Sequence, residues 1–262
     1  MALQTVILLF LCGCAAGFIN TLAGGGSALA ISALAFAGLP LGVANGTYRI
    51  AATVQTLAST ASFYREDKLD LKTGFLLGAP ASAGAVLGAF VAVDIDEALF
   101  EKVVAFVLLA FLVALIVRPS RWAPEPKDDV AGDIGLFEII LFFALGVYGG
   151  FVHVGVGYLM LIALLFTTGY NLVRSNAVKV MIICLYLPWA LGVFIWGGKV
   201  SLWHGIVLAV GQVGGAIVGA QFAVQGGEKY VRFAIMAFIV VMVPHFLGIY
   251  DLSAVLKSLF PG

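Results

Sequence analysis

Apolar positions in this chain run in long blocks rather than at the alternating spacing of half-buried strands. Eight blocks approach the roughly 20 residues that a helix needs to cross a bilayer: 2–22, 43–63, 71–93, 98–117, 134–152, 175–196, 201–224 and 230–249. Two more, 27–38 and 156–168, are clearly shorter. Each short block follows glycines: Gly24, Gly25 and Gly26 in one case, Gly155 and Gly157 in the other. Charges collect between blocks, in Arg65-Glu66-Asp67-Lys68-Leu69-Asp70 and in Asp94-Ile95-Asp96-Glu97. The longest polar segment, Arg118 to Asp133, carries Pro119, Pro124 and Pro126 and reads as a linker. The pattern predicts an all-α polytopic membrane protein.

Composition supports lipid as the solvent. Hydrophobic residues make up 62% of the 262 and charged residues 11%, against about 25% charged in a soluble domain. Mean hydropathy is +1.10. These values exclude a cytosolic enzyme. The 14 basic residues are balanced by 14 acidic ones, which leaves no basic surface for nucleic acid. Three cysteines make no disulfide framework. The first 16 residues hold no Lys or Arg, so they read as a first membrane helix rather than a secretory signal.

An internal repeat is expected at an offset of 131 residues. That offset pairs Gly24 with Gly155, Gly26 with Gly157, Gly38 with Gly169, Asn45 with Asn176, Lys68 with Lys199, Gly74 with Gly205, Gly84 with Gly215 and Gly88 with Gly219. Two homologous halves follow, 1–117 and 134–262, joined by a cytoplasmic linker over 118–133. Each half holds four long helices and one short, interrupted one. Such repeats are a transporter pattern, with substrate bound near the midplane where the broken helices end. A helix start offers unpaired N–H groups and partial positive charge, and glycine lets backbone approach a ligand. Gly24, Gly25, Gly26 and Ser27, with Gly155 and Gly157, are therefore candidate anion seats. Close helix packing by small residues is the competing explanation, and it is preferred for Gly84, Gly88, Gly215 and Gly219.

The motifs themselves are familiar. The first half reads Gly17-Phe18-Ile19-Asn20-Thr21-Leu22-Ala23-Gly24-Gly25-Gly26-Ser27, then Gly38-Leu39-Pro40 and Ala44-Asn45-Gly46-Thr47-Tyr48-Arg49. The second reads Val147-Tyr148-Gly149-Gly150-Phe151, then Gly155-Val156-Gly157-Tyr158 and Arg174-Ser175-Asn176-Ala177-Val178-Lys179. Over nearly the whole chain this resembles the sulfite exporter TauE/SafE family of membrane permeases, also called the toluene sulfonate uptake permease family. The resemblance implies a multi-pass carrier in the bacterial inner membrane for small sulfur-containing anions such as sulfite or organosulfonates. His153 departs from it, standing where a small residue is expected.

Arg49 and Lys179 lie inside apolar blocks with no acidic residue nearby in sequence. A charge within a span is costly and faces the protein interior or a wet cavity, so a carried anion is the natural partner. Snorkelling to the headgroups is the alternative. Asn45 and Asn176 offer amide donors at paired positions, and Asn20, Thr21 and Gln55 complete the expected substrate site. His153 is the candidate for proton coupling. No metal ion or cofactor is expected, and no enzymatic activity.

Basic residues favour the cytoplasmic side. Arg65, Lys68 and Lys72 mark one loop as inside, and Arg118, Arg121 and Lys127 mark the linker; Lys229 and Arg232 occupy a different turn of the second half. If the short helices count as crossings, each half has five and the second is inverted. Inverted repeats are favoured over parallel ones. The expected function is a secondary transporter, an exporter, working by alternating access around the glycine breaks. An anion channel and a proton-coupled permease for a non-sulfur organic anion are the alternatives. The partners are a small anion and the bilayer, and sequence does not fix the oligomeric state.

Overall fold

The computed structural model describes residues 3–23, 25–117 and 134–223. Among them every regular element is a helix: α1 (Leu3–Ala23), α2 (Gly26–Phe36), α3 (Leu41–Arg65), α4 (Leu71–Asp94), α5 (Glu97–Val117), α6 (Leu136–Phe151), α7 (Val156–Thr167), α8 (Leu172–Trp196) and α9 (Leu202–Ala223). Four of these have the length and hydropathy of a membrane span: α1, α4, α8 and α9. Gly24, the linker 118–133 with its basic residues, and the block 230–249 with Lys229 and Arg232 before and within it lie outside the described residues.

One expected long helix is short. The block 134–152 yields only the 16 residues of α6, about 24 Å at 1.5 Å per residue. The cause is local. Gly135 precedes the helix in an extended conformation, and Val152 leaves it with φ −130° and ψ 123°. The expected short blocks are helices of 11 and 12 residues.

Helix ends follow the turn chemistry of the sequence. The Asp70 carboxylate accepts from the Thr73 N–H at the start of α4, and the Asn171 side chain accepts from the Arg174 N–H at the start of α8. The Asp96 carboxylate does the same for Ala98 and Leu99 in α5. Helix α3 starts after Pro40 without a side-chain cap of its own. There Glu97 reaches over from α5 and accepts from the Gly42 N–H at 2.7 Å. The acidic turn therefore ties two helix starts together.

Packing runs in corresponding pairs. α1 lies along α9 and α6 along α4; α3 meets α9 and α8 meets α4; α3 and α8 meet each other at the centre. The starts of α3 and α8, Leu41 and Leu172, are 131 residues apart, as are those of α4 and α9, Leu71 and Leu202. Small residues make the outer pairs. A Cβ at Gly84 or Gly88 would strike the carbonyls of Phe143 or Val147 in α6, and one at Gly215 or Gly219 those of Cys14 or Phe18 in α1. Lipid gives little hydrophobic drive between helices, so such close backbone approach carries the association.

Gly88→Ala is expected to lower the stability of the detergent-solubilised protein by about 1–3 kcal/mol, because the nearest atom to the new methyl group belongs to backbone. Gly192→Ala, at a helical position with nothing within 4 Å, is expected to leave thermal unfolding unchanged or slightly raised. Equal unfolding midpoints for the two variants would sink this account of the α4–α6 contact.

Candidate functional site

Most of the expected site residues converge where the two short helices begin. Gly25 precedes α2 and Gly155 precedes α7, and neither helix start carries a side-chain cap. Gly155 has φ 72°, a left-handed conformation that favours glycine. The two starts face each other: the Gly155 N–H donates to the Ser27 hydroxyl, in the first turn of α2, at 3.4 Å. Ser27 is fully buried. Gly157 lies buried in the first turn of α7. Gly26 has a packing reason as well, since a Cβ there would meet the Ala16 carbonyl of α1.

Polar side chains line this meeting point. The Asn20 amide donates to the Tyr48 hydroxyl at 3.2 Å and to the Gln55 Oε1 at 2.9 Å. Gln55 in turn donates to the Thr21 hydroxyl at 3.3 Å, and that hydroxyl donates to the Gly17 carbonyl. Asn176 donates to the Thr21 carbonyl at 2.9 Å. Its Oδ1 accepts from the Lys179 ammonium at 2.5 Å. Asn20, Thr21, Gln55, Asn176 and Lys179 are thus one hydrogen-bonded chain across α1, α3 and α8, and all are buried.

Arg49 occupies the other break. Its guanidinium donates to the carbonyls of Gly149 at 3.1 Å and Gly150 at 2.5 Å, and stacks 4.5 Å over the Phe194 ring. Asn45, one turn earlier on α3, donates to the Phe151 carbonyl at 2.9 Å. Together they close the last turn of α6, where carbonyls lack helical partners and carry partial negative charge. Arg49 is 0% exposed and Lys179 1%, which rules out snorkelling within the described fold. The ion pair found among the described residues lies elsewhere, between Arg174 and Asp70.

His153 sits in the connection between α6 and α7, 2% exposed. Its Nδ1 lies 3.1 Å from the Tyr186 hydroxyl, and its ring packs between Tyr48 and Tyr186 at centroid distances of 5.3 and 5.8 Å. Tyr48, Tyr186 and Phe194 were not among the expected site residues. The 131-residue offset does pair Gln55 with Tyr186, and both side chains reach a helix break. The pair is chemically unlike, so the repeat does not mark it as a pair.

A second polar network sits at one end of the bundle. The Tyr170 hydroxyl donates to the Asp70 carboxylate at 2.5 Å, Thr73 donates to the same oxygen at 3.1 Å, and the Arg174 guanidinium lies 3.8 Å away. Arg174 also covers the Tyr170 ring at 4.7 Å. Burial alone would raise the Asp70 carboxyl, but hydrogen bonds from Tyr170 and Thr73 and the Arg174 charge outweigh it and hold it below the ordinary range. Burial, then the bond to Asp70, pushes the Tyr170 phenol up to about 12.

Comparison with known proteins places this architecture. The chain is a multi-pass membrane transporter of the helical class found in bacterial inner membranes. The model of the family described as "Sulfite exporter TauE/SafE" matches residues 9–245, and the chain belongs to that family. It is 30% identical over 233 residues to a "Probable membrane transporter protein" of Haemophilus influenzae, covering 88% of this chain and 90% of that one. It is 27% identical over 232 residues to "Probable membrane transporter protein ORF9" of a Sinorhizobium species, covering 88% of each. The protein YfcA of Escherichia coli K12, another "Probable membrane transporter protein", is 27% identical over 225 residues, with 86% and 83% covered. No solved structure matches.

Asp70→Asn keeps the helix cap and removes the charge facing Arg174. A carboxyl depressed in the folded state contributes stability that is present above its unfolded pKa of about 3.9 and is lost as pH falls through the folded value. Wild type is expected to be the more stable of the two near neutrality, by about 1 kcal/mol or less for so exposed a pair. The thermal-unfolding curves of the two proteins should converge as pH drops below the ordinary carboxylate range. A gap that persists there would show that the charge is not its cause.

Proposed function

We propose that this chain is a secondary transporter that exports small sulfur-containing anions, such as sulfite or an organosulfonate, by alternating access around the two helix breaks. One observation carries the reading. Lys179 is a buried ammonium whose hydrogen-bond acceptor is the neutral Asn176 amide. Such a charge is held at high cost without a counter-charge, and an anion seated between the starts of α2 and α7 supplies one. Two uncapped helix starts offer further N–H donors to it. Arg49 adds positive charge while fixing the end of α6. Sulfur specificity comes from membership of a family of sulfite exporters, and the site chemistry itself selects for an anion.

The proposed machine has two homologous halves, 1–117 and 134–262, in inverted orientation and joined by a cytoplasmic linker over 118–133. An anion leaving an inside-negative cell is driven by roughly 2.3 kcal/mol per charge per 100 mV, so export needs no coupling ion. His153, between two tyrosines, is the group a proton-coupled cycle would use.

The test is sulfite flux in proteoliposomes under an imposed potential. Flux should saturate, follow the potential, and fall about tenfold or more in Lys179→Met, which removes the charge and keeps the stem. Unchanged flux and affinity in that variant would refute the assignment of the seat. Non-saturating flux would favour a channel, and flux that follows only a pH gradient would move His153 to the centre of the mechanism.

A further inference from the structure

The two paired asparagines are not equivalently satisfied. Asn176 spends both ends of its amide: Nδ2 on the Thr21 carbonyl, Oδ1 on the Lys179 ammonium. Asn45 spends only one. Its Nδ2 binds the Phe151 carbonyl, while its Oδ1 is buried with no partner. The sequence explains the difference. Lys179 stands three residues after Asn176; three residues after Asn45 stands Tyr48, whose hydroxyl is engaged with Asn20. Among the described residues no donor pairs with the Asn45 acceptor.

One turn along the same face of α3 is a bare donor. Arg49 uses its two terminal nitrogens on Gly149 and Gly150, and its Nε is buried without a partner. Positions four apart on a helix hold their Cβ atoms about 5–6 Å from each other. The face of α3 at the α6 break thus carries an unfilled donor and an unfilled acceptor one helical turn apart, in residues 0% and 1% exposed. Buried polar atoms are costly to leave unmade, and a ligand that fills both must be an acceptor at one end and a donor at the other.

We propose that the seat takes an anion that brings its own hydrogen-bond donor: its charged oxygens accept from Arg49 Nε, and its O–H or N–H donates to Asn45 Oδ1. The proposal rests on the anion transport proposed above, extends its seat from the starts of α2 and α7 to the end of α6, and narrows its substrate. A fully deprotonated, donor-free anion fills the first position and sets lone pairs against lone pairs at the second.

The test compares 2-hydroxyethanesulfonate with 1-propanesulfonate, in which a methyl group replaces the hydroxyl. Binding to the purified full-length chain is measured from the ligand-dependent rise in unfolding temperature. The hydroxyl compound should bind wild type about five- to tenfold more tightly, as one hydrogen bond allows. Asn45→Leu, of similar size, should bring the two to parity. Equal binding to wild type overturns the proposal without any variant, as does a preference that survives in a folded Asn45→Leu protein. If neither sulfonate binds, the seat itself falls and the proposal with it; parity is distinct from that result because both ligands then still bind.

Discussion

Everything at the centre of this protein depends on how Arg49 is held. A guanidinium surrounded by apolar helices needs negative partners, and among the described residues no carboxylate pairs with it. The backbone provides them instead. Helix α6 ends after Phe151 because Val152 adopts an extended conformation, and that ending exposes carbonyls to which Arg49 and Asn45 bind. The dependence runs both ways. Without the break, the carbonyls would be consumed by helical hydrogen bonds; without Arg49, the break would leave them bare in a membrane interior, where unsatisfied backbone is excluded.

That exchange sets the shape of the rest. With α6 stopped early, the chain has room to turn through His153 and restart at Gly155, which brings the start of α7 against Ser27 of α2. The tyrosines at 48 and 186 then fill the volume on either side of His153 and direct their hydroxyls to Asn20 and to His153. The other break is organised by different letters. There Asn176 and Gln55 reach across to Thr21, and Lys179 is held by an amide rather than by carbonyls. Corresponding places in the chain thus carry unlike charge arrangements.

The fold was legible where it followed from hydrophobic blocks and glycine. The two short helices and the small-residue faces of α4 and α9 could be read from the sequence; the division of the expected polar residues into two groups, Asn45 and Arg49 at the end of α6 and Asn20, Thr21, Gln55, Asn176 and Lys179 elsewhere, could not. Nor could the length of α6, because Phe151-Val152 is as apolar as the helix before it and the stop is a backbone event, an extended Val152 whose freed carbonyls Arg49 and Asn45 satisfy from α3. The aromatic wall at Tyr48 and Tyr186 was hidden for a similar reason. In so apolar a chain, a tyrosine looks like packing until its hydroxyl partner is known. The Asp70–Tyr170 contact spans 100 residues and has no local pattern at all.

The glycine contacts have a mechanical meaning. Where a Cβ on Gly84 or Gly88 would strike a carbonyl of α6, and one on Gly215 or Gly219 a carbonyl of α1, the helices pack with no side chain of the glycine between their backbones. Sliding one such helix past the other would force a carbonyl to climb over a neighbouring residue's Cβ. Each pair is therefore stiff in shear, like two toothed bars in mesh. The seam between α3 and α8 includes side-chain contacts such as the Arg49 guanidinium over the Phe194 ring. Any relative movement of these two rigid pairs is therefore taken up between them rather than within them, and Arg49 and Lys179 stand on α3 and α8, the helices that meet there.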